Sequence, residues 1–178
     1  MNRRRFLMAI FALAATAAGA LEPDQVFITY GMKMGTRQVS GVSRELEWSF
    51  VALDDAHALM RVRVPIDSFD SGHDDFDSAL RKAIGSDRHP FVQIDGIARQ
   101  GQIDGTLELA GVSRPVSVRL HAERVAGNVI AVASLTIDLR DYGVAIDGVD
   151  PHVSFDAVVR LTASPEAVLA GGLTRPAN

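Results

Sequence analysis

The sequence predicts an all-β protein, an antiparallel sandwich or barrel with one short α-helix between strands. Three observations predict it. Apolar residues recur at every second position in several runs. Short turns bearing glycine or asparagine separate those runs. One stretch, Asp74 to Ile84, switches instead to helical spacing.

The chain begins with three zones that read as a cleavable export signal over residues 1–20. Arg3, Arg4 and Arg5 supply a positive start, Phe6 to Ala18 an apolar run, and Ala18-Gly19-Ala20 the small residues a signal peptidase accepts. The run is shorter than the roughly 20 residues a spanning helix needs. Asn2-Arg3-Arg4-Arg5-Phe6-Leu7 also fits a twin-arginine signal, and both export routes stay open. Either one predicts a periplasmic or secreted protein.

Residues 21–163 read as a single domain. Leu46, Trp48 and Phe50 present an aromatic face, and Met60, Val62, Val64 and Ile66 alternate with Arg61 and Arg63. In the helical stretch Phe76, Leu80, Ala83 and Ile84 form one stripe. Ser71 or Asp74 is expected to cap its start and Gly85 its end. That helix reads either as a plug across one barrel opening or as a crossover packed on the outside. Pro90 precedes the next strand, Phe91 to Ile97. Arg99-Gln100-Gly101, Ala110-Gly111-Val112-Ser113 and Ala126-Gly127-Asn128 read as hairpin turns. Val116, Val118 and Leu120 alternate with Ser117, Arg119 and His121, and Val153, Phe155, Ala157, Val159 and Leu161 alternate in the last run. In the run Val129–Leu139, Ile130 and Val132 make the second face apolar as well. That face needs a cover, with the protein's own helix favoured over a partner chain or a lipid. Residues 164–178, with Pro165, Gly171, Gly172 and Pro176, read as a loose tail with at most one helical turn at Glu166–Ala170.

The whole chain has 18 Lys+Arg against 22 Asp+Glu. Without residues 1–20, which hold three arginines and no acid, the balance is 15 against 22. That acidity argues against nucleic acid as a partner. The absence of cysteine removes disulfides and thiolate metal sites.

Catalytic patterns are sparse. Gly111-Val112-Ser113-Arg114-Pro115 opens like a nucleophile elbow but carries Pro115 where the second glycine is required, so it reads as a hairpin turn. His57, His73, His89, His121 and His152 show no metal-ligand spacing, and no metal is expected. Asp67, Asp70, Asp74, Asp75 and Asp77 do not follow the order of a calcium loop and are expected to serve turns and a helix N-terminus. Arg140-Asp141-Tyr142-Gly143 reads as a rim structure containing an adjacent ion pair. An arginine and an aromatic there would also suit the polar head of an apolar ligand.

Several segments resemble the YceI-like family. Asp104-Gly105-Thr106-Leu107-Glu108-Leu109-Ala110-Gly111-Val112-Ser113-Arg114-Pro115-Val116 is similar to its central hairpin, and Leu139-Arg140-Asp141-Tyr142-Gly143-Val144 to one of its strand ends. Ile66 to Gly72 and His89 to Ile94 resemble two further segments, and all four come in the family's order. The resemblance implies a lipocalin-like antiparallel barrel, usually periplasmic, that encloses a polyisoprenoid, a quinone tail or a similar lipid. It implies no catalytic residues and no cofactor beyond such a lipid. Trp48, Phe50, Val62, Leu120, Leu135, Tyr142 and Phe155 are then the expected ligand-binding residues. The rival reading is a barrel filled by its own side chains that acts through surface loops, a homodimer contact or a membrane redox partner. A third is an enzyme at the barrel mouth around Arg140, Asp141 or His121.

Overall fold

The computed structural model describes residues 25–54, 57–99, 101–125 and 128–162. The expected export signal and the tail at 164–178 lie outside the described residues. Nine strands form one sheet: β1 (Gln25–Met34), β2 (Arg37–Ser43), β3 (Glu47–Ala52), β4 (His57–Pro65), β5 (Phe91–Arg99), β6 (Gln102–Leu109), β7 (Val112–Val125), β8 (Asn128–Asp138) and β9 (His152–Thr162). One helix, α1 (Asp74–Ile84), sits between β4 and β5. Every strand pairing is antiparallel, in the order β2-β1-β9-β8-β7-β6-β5-β4-β3. The period-two runs of the sequence are these strands.

The two ends of that order, β2 and β3, are joined only by residues 44–46. So short a link cannot cross a flat nine-stranded sheet at roughly 4.8 Å per strand, so the sheet curls until its edges meet. The seam is closed near α1 by the segment that follows β4, not by β3. Val42 and Asp70 exchange both backbone hydrogen bonds, at 2.9 and 3.0 Å, and the Ser43 and Ser68 hydroxyls lie 2.6 Å apart. Beyond that bridge β3 has β4 as its only strand partner among the described residues.

Gly96 faces Gly105 across β5 and β6. A Cβ on Gly96 would fall 2.7 Å from the Asp104 carbonyl oxygen, so this approach of two backbones excludes any side chain. At the β6–β7 turn the two-residue loop is Ala110-Gly111, with φ of 53° and 76°. Two positive φ values match the twist of the flanking strands. Val112 and Ser113, expected in the turn, already belong to β7.

α1 spans the residues its apolar stripe predicts, and Gly85, at φ 73°, ends it by donating to the carbonyls of Arg81 and Lys82. Its start differs from expectation. His73 holds the N-cap position without a side-chain bond, and neither Ser71 nor Asp74 caps. Instead Asp77 reaches back one turn and accepts from the Ser71 N–H at 3.1 Å. The acids of the first turn, Asp74, Asp75 and Asp77, sit at the positive end of the helix dipole.

Phe76, Leu80 and Ile84 share one core cluster with Tyr30, Met32, Val39, Val64, Val92, Leu107, Ile137 and Val153, which come from strands all around the sheet. Only a helix inside the curl can meet all of them. α1 is therefore a plug in one end of the barrel, and the outside crossover is ruled out. This also corrects the expectation for Ile130 and Val132. They face outward, Val132 beside Val158 and Phe27, on the surface that α1 does not cover, and are half-buried.

Candidate functional site

The inner wall is apolar along its length, and on β1, β8 and β9 it is sealed only in the half under α1. On β1, Tyr30 and Met32 are buried while Ile28 is half-buried; on β9, Val153 is buried while Phe155 and Ala157 are half-buried. Strand register lines up Ile28, Ala157, Ala133 and Leu120 in one cross-strand row, and Phe155 pairs with Leu135 in the next. All six are half-buried. On the adjoining strands Met60, Ala98, Ile103 and Val118 form a second, buried cluster, against which Val62, Ala133 and Leu135 pack. The result is an apolar trough with a plug at one end and small side chains, Ala133 and Ala157, along its floor.

The sealed half is nearly full. Tyr30, Met32, Phe69, Leu80, Ile84 and Phe155 are among the side chains around a gap of ≈ 30 Å³, the space of about one water molecule. A larger hollow of ≈ 590 Å³ lies at the C-terminal end of α1, lined by Asp67, Arg81, Lys82, Asp87 and Arg88 among others. Its charged lining does not suit an apolar chain.

The residues expected to bind ligand fall into three places. Val62, Leu120, Leu135 and Phe155 face the trough or its wall. Trp48, on β3 at the end of the strand order, pairs with Val62 and is 38% exposed. Phe50 lies opposite Met60 in register, and its side chain is outside the described residues. Tyr142 is separated from the others: it lies in a 3-10 turn (Leu139–Tyr142) after β8, is 3% exposed and belongs to the core under α1. Burial, and then the carboxylate of Asp141, push its phenol pKa upward. Ile28, Ala133 and Ala157 were not among the residues expected to bind ligand, although Ala157 was read on the apolar face of its run.

The expected Arg140–Asp141 pair does not form. Arg140 turns back to Asp138, which accepts from its Nε at 2.9 Å and from its backbone N–H at 2.9 Å. That bonding holds the Asp138 carboxyl down at about 2. Asp141 contributes only its carbonyl, which accepts from Arg114 Nε at 3.0 Å. His57 pairs with Asp54 and His152 with Asp150, both at the surface. Among the described residues no three His, Asp or Glu side chains gather as metal ligands.

Two buried polar side chains meet at the plug. Tyr30 is 2% and Asp77 5% exposed, and Tyr30 Oη and Asp77 Oδ1 each lack a hydrogen-bond partner. Burial first, and the Asp77 charge second, raise the Tyr30 phenol pKa to about 12. The phenol stays neutral at any ordinary pH. No helix among the described residues is long and apolar enough to cross a membrane.

This architecture has known counterparts. BcnA of Burkholderia cenocepacia superposes with a TM-score of 0.66 at 12% identity, over 77% of this chain and 96% of that one. A polyisoprenoid binding domain from Saccharophagus degradans, implicated in plant cell wall breakdown, gives 0.63 at 14% identity, over 80% and 97%. The YceI protein of Campylobacter jejuni gives 0.61 at 13% identity, over 74% and 89%. No curated protein matches the chain by sequence. A family model described as the YceI-like domain matches residues 20–167. The sequence over most of its length and the curled antiparallel sheet agree, and the chain belongs to the YceI-like family.

Proposed function

We propose that this protein is a binding protein, not a catalyst, and that it holds a long apolar ligand such as a polyisoprenoid or quinone-type lipid in the open half of its barrel. One observation carries the reading: the row Ile28, Ala157, Ala133 and Leu120 with Phe155 and Leu135 is only partly buried on an apolar inner wall, although the sheet is curled and plugged beside it. Covering that wall with a hydrocarbon removes it from water, and each ligand CH₂ buried contributes about 0.8 kcal/mol. The S. degradans domain, described as polyisoprenoid binding, supports the ligand class. The segment at residues 1–20 supports carriage or storage in the periplasm.

The test is to fill the trough without unfolding the sheet. Ala133→Trp is expected to abolish uptake of a fluorescent polyprenol analogue while the circular dichroism spectrum and the melting transition are kept. Unchanged uptake in a folded Ala133→Trp protein overturns the placement. A second reading, a filled barrel that acts through its surface, is favoured by the gap of only ≈ 30 Å³ under α1. It predicts no uptake by the wild type at all.

A further inference from the structure

The inner face changes character across a single row of the sheet. Tyr30, Phe155 and Leu135 stand side by side in register across β1, β9 and β8. One step away from α1 lie Ile28, Ala157 and Ala133, all partly buried. One step toward α1, Val153 and Ile137 are paired and buried, at 0% and 7% exposure. Side-chain size changes at the same level: β9 steps from Ala157 to Phe155, and β8 from Ala133 to Leu135. Phe155 belongs to both sides of this boundary. It is partly buried at the inner end of the trough, and with Tyr30, Leu80, Ile84 and Val153 it also lines the gap of ≈ 30 Å³.

We propose that Phe155 is the stop that sets how long an apolar chain the trough accepts. This deepens the lipid-binding reading and rests on it. A hydrocarbon lying over the methyl groups of Ala133 and Ala157 runs into the Phe155 ring at the level of the plug. Behind the ring the side chains around the gap are apolar; Tyr30 alone among them carries a hydroxyl, and that oxygen lies beside Gly41 on β2. A polar head group placed there would lose its hydration without gaining partners, so the inner end of the ligand is hydrocarbon. With the ring in place the gap has room for about one water molecule and no more. Val153, the next inner residue of β9, lies roughly 7 Å further along the strand, enough for one isoprene unit. Cutting back the ring joins the gap to the trough and lengthens the space open to the ligand.

The test is a competition series on the full protein, in which polyprenols of increasing isoprene number displace a fluorescent polyprenol analogue. Phe155→Ala is expected to move the length optimum up by about one isoprene unit, with the next longer polyprenol gaining about tenfold in affinity. Phe155→Leu, a milder cut that keeps the core filled, moves the optimum the same way, and Phe155→Trp moves it down. Leu80→Ala enlarges only the space behind the ring and is expected to shift the optimum further up when combined with Phe155→Leu, but not by itself. An optimum that is the same in wild type, Phe155→Leu and Phe155→Trp, all folded by circular dichroism and all taking up the analogue, overturns the stop and leaves the lipid-binding reading standing. So does an optimum that moves up in Leu80→Ala with the ring intact. A wild type that takes up no polyprenol of any length overturns both.

Discussion

The ring of Tyr30 lies against the backbone of Gly41 on the neighbouring strand, so close that a Cβ at position 41 would fall 2.6 Å from Tyr30 Cζ. The glycine makes room for an aromatic that also packs edge-on to Phe69, with ring centres 5.4 Å apart. β1, β2 and the segment leading to α1 thus meet at one side chain. Gly41→Ala is expected to destabilise the fold by about 1–3 kcal/mol through overpacking, read as a lower urea midpoint with an unchanged slope. A variant as stable as wild type contradicts this packing.

The same tyrosine sets an alkaline limit. Its phenol pKa is raised to about 12 in the fold from an ordinary 10.0. Above pH 10 the unfolded chain therefore loses the proton first, and stability falls between pH 10 and 12. The loss approaches about 2–3 kcal/mol at full separation of the two values. Tyr30→Phe is expected to flatten that part of the stability–pH curve. An equally steep alkaline decline in the variant contradicts the assignment.

At acid pH the corresponding group is Asp138, held at about 2 by the Arg140 guanidinium and backbone N–H. Its contribution is present above the ordinary carboxylate pKa and is lost as pH falls through 2. Arg140→Gln is expected to move the Asp138 titration, followed by carboxyl carbon NMR, back up toward the ordinary range. No movement would show that the pair does not hold the carboxyl down.

The plug can be tested by hollowing it. Leu80 is 7% exposed and adjoins the gap of ≈ 30 Å³. Leu80→Ala is expected to cost about 2–5 kcal/mol in unfolding free energy and to leave an apolar cavity. Xenon binding followed by NMR checks the cavity. A cost under 1 kcal/mol would show that α1 is not seated in the barrel.

Much of this fold was legible because its physics is local. Val153, Phe155 and Ala157 alternate because a half-buried strand alternates, and Phe76, Leu80 and Ile84 recur because a helix buries one stripe. The side of the sheet on which that stripe would settle depended on the curl, and the curl depends on where strands distant in sequence meet. The closure by Asp70 on Val42 and the place of β3 at the end of the strand order were hidden for the same reason. Asp138 outcompeted Asp141 for Arg140 because the 3-10 turn brings residue 140 back over the end of β8, a geometry that adjacency in sequence does not convey. Tyr142 looked like a rim aromatic for want of the same turn, and the small residues of the trough carried no signal of size.

The central claim is that the partly buried wall of Ile28, Leu120, Ala133, Leu135, Phe155 and Ala157 holds an apolar chain. The most direct measurement is native mass spectrometry of the protein purified without detergent from its native source, followed by solvent extraction of the same sample. The account predicts an added mass near one ligand per chain, released as a long-chain isoprenoid or similar lipid and missing from folded Ala133→Trp. A bare polypeptide mass in both proteins, with no lipid in the extract and no uptake of added polyprenol, contradicts it.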